Sequence, residues 1–329
     1  MNDFEYAAPR TEAEAVTLLG EQEGNAAVLA AGTDLVSLMQ QGVVRPGRVV
    51  DISGIDSLKG VEVTPEGVQI GALTTMEEIL DSPVLADYPA LGDVAEGIRA
   101  IQIQQNGTLG GDLCHLPNCW YFRKGYGLLA TENGRSLAAE GDNRYHAIFG
   151  NQGAAKFVNA SRFAPSLIAW HAEVRVVGPD EESEQWLPLE QFYRTPKLER
   201  QGTNILAPGQ FISHIRLPNS GTKLSACYEV LELEGLDWPL SSCAVTLSME
   251  AGIVREACIV LGQVAPVPWV SYIASSVVRG QPLTPETAAR AGEAAVSEAT
   301  PLWNNEYKVQ LARASVKRAL LKATGQLEL

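Results

Sequence analysis

The chain has 329 residues, enough for two or three domains. Its composition, 46% hydrophobic and 19% charged, is that of a globular protein, and no apolar run approaches the ~20 residues of a spanning helix. A formal net charge of -14 excludes the basic footprint that nucleic acid or an anionic membrane surface requires.

The opening Met1-Asn2-Asp3-Phe4-Glu5-Tyr6 has no basic region followed by an apolar one, so no signal peptide is expected and the reading is cytoplasmic. Thr11-Glu12-Ala13-Glu14 is a capping box, with Glu14 expected to reach back to Thr11. A helix then follows from the spacing of Ala15, Val16, Leu18 and Leu19. Residues 27–31 read as a buried strand ending at Gly32, a helix starts near Leu35, and residues 48–52 form a second strand. Alternation around Thr64-Pro65-Glu66-Gly67 predicts a hairpin over 61–63 and 68–70. Helices are expected over 76–80, 90–98 and 165–171, and strands over 173–177 and 211–216.

Between these lies an aperiodic stretch, 116–160, long enough to read as functional. After Pro218-Asn219-Ser220-Gly221 the pattern becomes a meander of strands over 227–233, 242–249 and 253–261, then helices over 269–278, 285–299 and 305–324. Strands followed by helices imply a separate α+β domain. Cys227, Cys243 and Cys258 sit in apolar runs and read as buried free thiols, since five cysteines do not make a disulfide framework.

Two glycine turns carry the chemistry: Ala30-Ala31-Gly32-Thr33-Asp34-Leu35 and Asn106-Gly107-Thr108-Leu109-Gly110-Gly111-Asp112-Leu113. Amides at such turns point positive partial charge outward, and glycine lets an anion approach closely. Neither turn matches the dinucleotide G-x-G-x-x-G pattern or the G-x-x-x-x-G-K-[ST] phosphate loop. Cys114, Cys119, His115 and His146 raise a metal site, although zinc or iron–sulfur sites generally need four ligands. His171 and His214 read as surface or satisfied core residues, and no nucleophile turn for hydrolysis is visible.

Those two turns, with Gly71-Ala72-Leu73-Thr74-Thr75, Leu206-Ala207-Pro208-Gly209-Gln210, Ile215-Arg216-Leu217-Pro218, Asp237-Trp238-Pro239-Leu240 and Gly262-Gln263-Val264-Ala265-Pro266-Val267-Pro268, resemble the FAD-binding subunits of the molybdenum hydroxylases. The resemblance covers nearly the whole chain. It implies an α+β architecture: an FAD-binding PCMH-type fold (a small N-terminal α/β unit, 1–57, plus a central α/β domain, 58–220), then a C-terminal domain, 221–329, of a three-stranded antiparallel sheet and a helix bundle. It implies FAD as cofactor, held by Ala30, Ala31, Gly32, Thr33, Asp34, Leu35, Ala72, Thr74, Asn106, Thr108, Gly110, Gly111, Asp112, Arg162 and Ile212, with both turns serving the pyrophosphate and neighbouring groups. It implies electron transfer within a complex whose partners are a molybdopterin-containing large subunit and a [2Fe–2S] small subunit. A free-standing flavin oxidoreductase and a structural subunit that has lost its cofactors stay open as alternatives.

Two departures stand out. The family usually ends its second turn with asparagine, where this chain has Asp112, and commonly has aspartate where this chain has Arg162. The opposite changes suggest that the two residues compensate each other. The stretch from about 114 to 160 is similar to the [4Fe–4S]-binding insertion of the 4-hydroxybenzoyl-CoA reductase type, through Cys119-Trp120-Tyr121-Phe122-Arg123 and Gly141-Asp142-Asn143-Arg144-Tyr145-His146. Only Cys119 falls on a ligand position; the others fall on Leu128 or Leu129, Ser136 and Ala155. A retained loop without a [4Fe–4S] cluster is expected, with Trp120, Arg144, Tyr145 and His146 serving packing or a subunit contact.

Overall fold

The computed structural model describes residues 3–22, 24–233 and 237–327. Met1 and Asn2, cited above for the leader, and Glu328 and Leu329, at the end of the expected second domain, lie outside the described residues. The first lobe comprises β1 (Glu5–Ala7), α1 (Glu12–Gly20), β2 (Ala26–Leu29), α2 (Leu35–Gln40) and β3 (Arg48–Asp51). Its parallel sheet has the order β1-β3-β2, so the short β1, which the sequence pattern does not announce, adds an edge to the unit. Thr11 caps α1 by accepting from Glu14 N at 3.1 Å. Glu14 reaches one residue further back than expected, accepting from Arg10 N at 2.7 Å. Ala15, Val16 and Leu19 then bury against Val50, Ile52, Ile55 and Leu58.

The central lobe begins with the hairpin β4 (Val61–Thr64) and β5 (Gly67–Gly71), followed by α3 (Met76–Asp81), α4 (Pro89–Gly97), α5 (Ile101–Asn106) and α6 (Leu109–Leu113). The long insertion contains α7 (Trp120–Arg123), the small hairpin β6 (Thr131–Glu132) and β7 (Arg135–Ser136), and α8 (Leu137–Glu140). The lobe closes with α9 (Ala164–Ala169), β8 (Glu173–Val177), β9 (Glu184–Pro188), α10 (Leu189–Phe192) and β10 (Phe211–Leu217). Its antiparallel sheet has the order β4-β5-β10-β8-β9, with the chain's ends of the lobe paired at the centre.

The remaining residues form β11 (Leu224–Val230), β12 (Ser241–Glu250), β13 (Ile253–Gly262), β14 (Trp269–Val270), α11 (Tyr272–Val278), α12 (Pro285–Ala295) and α13 (Tyr307–Ala323). The three long strands of the meander gain a fourth, because Trp269 and Val270 pair with Leu261 and Val260 before the helix starts. Strand alternation divides this sheet's labour. Cys243, Val245 and Leu247 face a core with the three helices, whereas Cys227, Ala244 and Val260 join the core of the central lobe around Trp170 and Tyr88. One face of the C-terminal sheet therefore completes the core of the central lobe, and the other face packs under its own helices.

Within that junction Arg162 and Glu229 form a buried ion pair, their side chains only 8% and 7% exposed. Arg162 Nε donates to Glu229 Oε1 at 3.0 Å, and a second bond joins Nη2 to Oε2. Gly97 makes room for it: a Cβ there would lie 2.7 Å from Glu229 Oε2 and 2.8 Å from Arg162 Nη2. Burial pushes the Glu229 carboxyl upward, and the guanidinium opposes that shift. Removing one partner of such a pair strands the other charge. Glu229→Ala should therefore cost roughly 3–5 kcal/mol in a urea-unfolding experiment, whereas the apolar double variant Arg162→Met/Glu229→Leu recovers most of it. A loss below about 1 kcal/mol in Glu229→Ala would show the pair to be hydrated and unimportant.

Candidate functional site

A cavity of about 420 Å³ opens where the first lobe meets the central lobe and the start of the C-terminal domain. This is within the usual range for small-molecule sites. Its walls are mostly apolar, with Val28, Leu38, Ile52, Leu73, Ile103 and Phe211 among them. The two glycine turns face each other across it. Of the residues singled out from the sequence, Ala30, Ala31, Gly32, Thr33, Asp34, Leu35, Ala72, Thr108, Gly110, Gly111, Asp112, Arg162 and Ile212 line the cavity.

Thr74 and Asn106, also expected at the cofactor, do not line it. Thr74 is fully buried behind the second turn; its hydroxyl donates to Gly60 O at 3.0 Å and its carbonyl accepts from Leu109 N at 2.9 Å. Asn106 ends α5 on the exposed side and donates to Gln102 O at 2.9 Å. Other lining residues were missed. Leu206, Gln210, Asp237 and Trp238 belong to the family-like motifs quoted above, which was the available signal; His115 was noted only for a possible metal, and Asn204 had no signal.

The turns differ in how their backbone is partnered. In the second, Leu109 N donates to Thr74 O at 2.9 Å and Gly110 N to Ala72 O at 2.8 Å. Gly111 N donates to the Thr108 hydroxyl at 3.2 Å, which makes Thr108 the cap of α6. In the first, the amides of Ala31, Gly32, Thr33, Asp34 and Leu35 have no hydrogen-bond partner among the described residues. The two turns expected to serve the pyrophosphate and neighbouring groups are thus arranged asymmetrically. The first turn presents free donors, and the second is a close-packed wall. Gly110 shows why that wall needs glycine, since a Cβ there would sit 2.7 Å from Ala72 Cβ. Gly32 has φ +76, a left-handed conformation, and a Cβ there would lie 2.8 Å from Val36 Cγ2.

Asp112 and Arg162 do not compensate each other through their side chains. The Asp112 carboxylate accepts from Arg162 N and Phe163 N, each at 3.1 Å, and from the Ser161 hydroxyl. It thereby ties the second turn to the entry of α9, while the Arg162 guanidinium turns to Glu229. Burial raises the Asp112 pKa, opposed by those three donors. The carboxylate faces amides and a hydroxyl of its own chain.

Beside the cavity, the insertion gathers its expected ligand positions. Leu129, Ala155 and Phe157 form a small buried core on which Cys119 and Leu128 pack. Ser136 caps α8 by accepting from Ala139 N at 3.2 Å. Cys119 Sγ lies 3.2 Å from His146 Nε2. Burial pushes the Cys119 thiol up and the His146 imidazole down to about 4, so at neutral pH both are uncharged. No group of three or more His, Cys, Asp or Glu among the described residues is placed to hold a metal ion. Trp120, Tyr145 and Arg144 pack together, with the rings of Trp120 and Tyr145 5.4 Å apart and the guanidinium 5.6 Å from the indole.

The comparisons with known proteins agree with this geometry. Residues 2–220 match the model of the FAD binding domain in molybdopterin dehydrogenase, and residues 226–323 match the CO dehydrogenase flavoprotein C-terminal domain. The chain belongs to this family of FAD-binding subunits. It is similar to the carbon monoxide dehydrogenase medium chain of Hydrogenophaga pseudoflava, with 27% identity over 322 residues and 96% of each chain covered. It is 26% identical to the aldehyde oxidoreductase FAD-binding subunit PaoB of Escherichia coli (strain K12), covering 99% of this chain and 100% of that one. The solved structure of carbon monoxide dehydrogenase from Hydrogenophaga pseudoflava superposes with a TM-score of 0.77 at 25% identity, covering 99% of both chains. The fold is thus that of an oxidoreductase flavoprotein subunit of the molybdenum hydroxylase type.

For such a subunit the first turn is the sensitive element. Gly32→Ala is expected to strain the backbone by about 1–2 kcal/mol. It should weaken FAD binding roughly tenfold or more in a flavin-fluorescence titration. Gly20→Ala, where an added Cβ meets nothing within 4 Å, serves as the control and should bind normally. Equal affinities in the two variants would remove the first turn from the site.

Proposed function

We propose that this chain is the FAD-carrying electron-transfer subunit of a multi-subunit molybdenum hydroxylase, passing electrons between partner iron–sulfur centres and an external acceptor. The observation that carries the reading is a run of five amides, Ala31 to Leu35 in sequence, that have no hydrogen-bond partner among the described residues and belong to residues lining a largely apolar cavity. A pyrophosphate joined to two ring systems satisfies both features, because it brings oxygen acceptors to the amides and apolar surface to the walls. Gly32, Thr33 and Asp34 would hold the pyrophosphate. Thr108, Gly110, Gly111 and Ile212, together with Phe211 and Leu206, would border the rings and ribose. When bound, FAD supplies a carrier that can take up electrons and release them singly or in pairs. The chain's own residues orient it and exclude water from the cavity.

The domain division we propose is 1–220 for FAD binding, with lobes 1–57 and 58–220 and the insertion at about 114–160, and 221–329 for the C-terminal unit. A molybdopterin-containing large subunit and a [2Fe–2S] small subunit are the proposed partners. The medium-chain names of relatives that match over nearly their full length support this. A cytoplasmic location fits five free cysteines, and no described helix is long and apolar enough to cross a membrane. We also propose that the insertion carries no [4Fe–4S] cluster. Aliphatic carbon at Leu128, Leu129 and Ala155 supports this, since a four-iron cluster is held by four thiolates. The nearer kinship to the 4-hydroxybenzoyl-CoA reductase type rests on the loop motifs alone.

Purification of the native complex, with subunits, flavin and metals counted, tests the proposal. The expected result is one FAD on this chain, a flavin spectrum without broad additional absorbance, and iron accounted for by a partner subunit alone. Stoichiometric iron on this chain would overturn the cluster assignment. Absence of flavin from the intact complex would overturn the electron-transfer role.

A further inference from the structure

The insertion touches every lobe of the molecule, which a vestigial loop need not do. Ile148 N and Phe149 N donate to Val264 O at 2.8 and 3.1 Å, and Phe149 stacks on Trp269 with centroids 5.1 Å apart. Leu128 N and Leu129 N both donate to the Glu199 carboxylate at 2.8 Å. The contact that reaches the cavity is made by Arg123, the last residue of α7. Its Nη1 donates to Asp34 Oδ1 at 2.6 Å, in the first glycine turn. Its Nε donates to Pro117 O at 3.0 Å and its Nη2 to Leu116 O at 3.1 Å.

Leu116 lies just beyond the second glycine turn, so one guanidinium spans from the first turn to the segment leaving the second. His115, between them, donates from Nδ1 to Leu116 O at 2.7 Å and brings Nε2 within 3.7 Å of Asp34 Oδ1. Asp34 makes no side-chain cap to α2, although it occupies the cap position. Its carboxylate is committed to Arg123 instead. Both side chains are largely withdrawn from solvent, 17% and 22% exposed. The planar fork of arginine can serve three acceptors in this way; a lysine ammonium cannot match its geometry.

We infer that Arg123 is a positioning residue for the flavin: the insertion acts as a strut that fixes the first glycine turn, through Asp34, at its working distance from the second. The small core of Leu128, Leu129, Ala155 and Phe157 has a part in this. Cys119 packs on that core and is the cap residue of α7, so the core fixes the helix whose far end carries Arg123. The insertion thus does mechanical work at the cavity. This inference rests on the FAD reading given above.

The test uses the full chain and FAD. Arg123→Ala is expected to raise the FAD dissociation constant about tenfold or more, while the melting temperature of the flavin-free chain stays close to wild type. In an Asp34→Asn background the same substitution should add little further loss, because the route through Asp34 is already cut. Arg123→Lys keeps a charge for Asp34 but not the bridge to both carbonyls, and should fall between wild type and alanine. Wild-type affinity in Arg123→Ala would overturn the inference. So would an undiminished tenfold loss in the Asp34→Asn background, or an equal loss of melting temperature with and without FAD. Should Arg123→Ala not fold, Arg123→Lys decides, and wild-type affinity there overturns the inference. Failure of the wild-type chain itself to bind FAD would instead count against the parent reading.

Discussion

A folded chain must find partners for its backbone amides, and around this cavity the requirement is met on one side only. In the second glycine turn every amide from Leu109 to Gly111 in sequence bonds within the protein, to Thr74 O, Ala72 O and the Thr108 hydroxyl. In the first turn five successive amides have no such partner among the described residues. Ala31 and Thr33 are exposed and Gly32, Asp34 and Leu35 half-buried, so water serves these amides until an acceptor takes its place. On the reading proposed above, an anion replaces that water at the first turn, and the two turns do different work. One donates, and the other supplies a surface tight enough that Gly110 meets Ala72.

The supporting structure follows from holding those two turns in register. Asp112 collects the entry of α9, α9 packs on the C-terminal sheet, and Arg162 carries the connection across the domain boundary to Glu229. From the other side Arg123 holds Asp34. Two of the three acidic residues that line the cavity, Asp34 and Asp112, are thereby each engaged by donors of the protein itself. Neither directs an unpaired charge at the cavity.

Much of this was legible in the sequence, and the reason is local. The two glycine turns, the Thr11 cap, the Thr64-to-Gly67 hairpin and the strand meander are each encoded within a few residues. Their match to a family then brought FAD and the domain order. What was not legible depends on contacts between distant segments. Nothing in Asn106-Gly107-Thr108 announces that Thr74 lies behind the turn or that Asn106 points outward. The opposite charges of Asp112 and Arg162 suggested a pair. Their actual partners are Ser161, two backbone amides and Glu229, 67 residues beyond Arg162. The insertion's tie to Asp34 spans 89 residues and no periodicity foretells it.

The central claim, that the flavin's pyrophosphate is held by the first turn and not the second, is tested most directly by amide chemical shifts in the isotopically labelled chain. On addition of FAD, the account predicts the largest downfield proton shifts at Gly32, Thr33 and Asp34, as hydrogen bonds to phosphate oxygens form. The amides of Leu109, Gly110 and Gly111, already bonded within the protein, should keep their hydrogen-bonded positions and show only the smaller effects of a nearby ring. Dominant shifts at those three residues, with the first turn unmoved, would contradict the account.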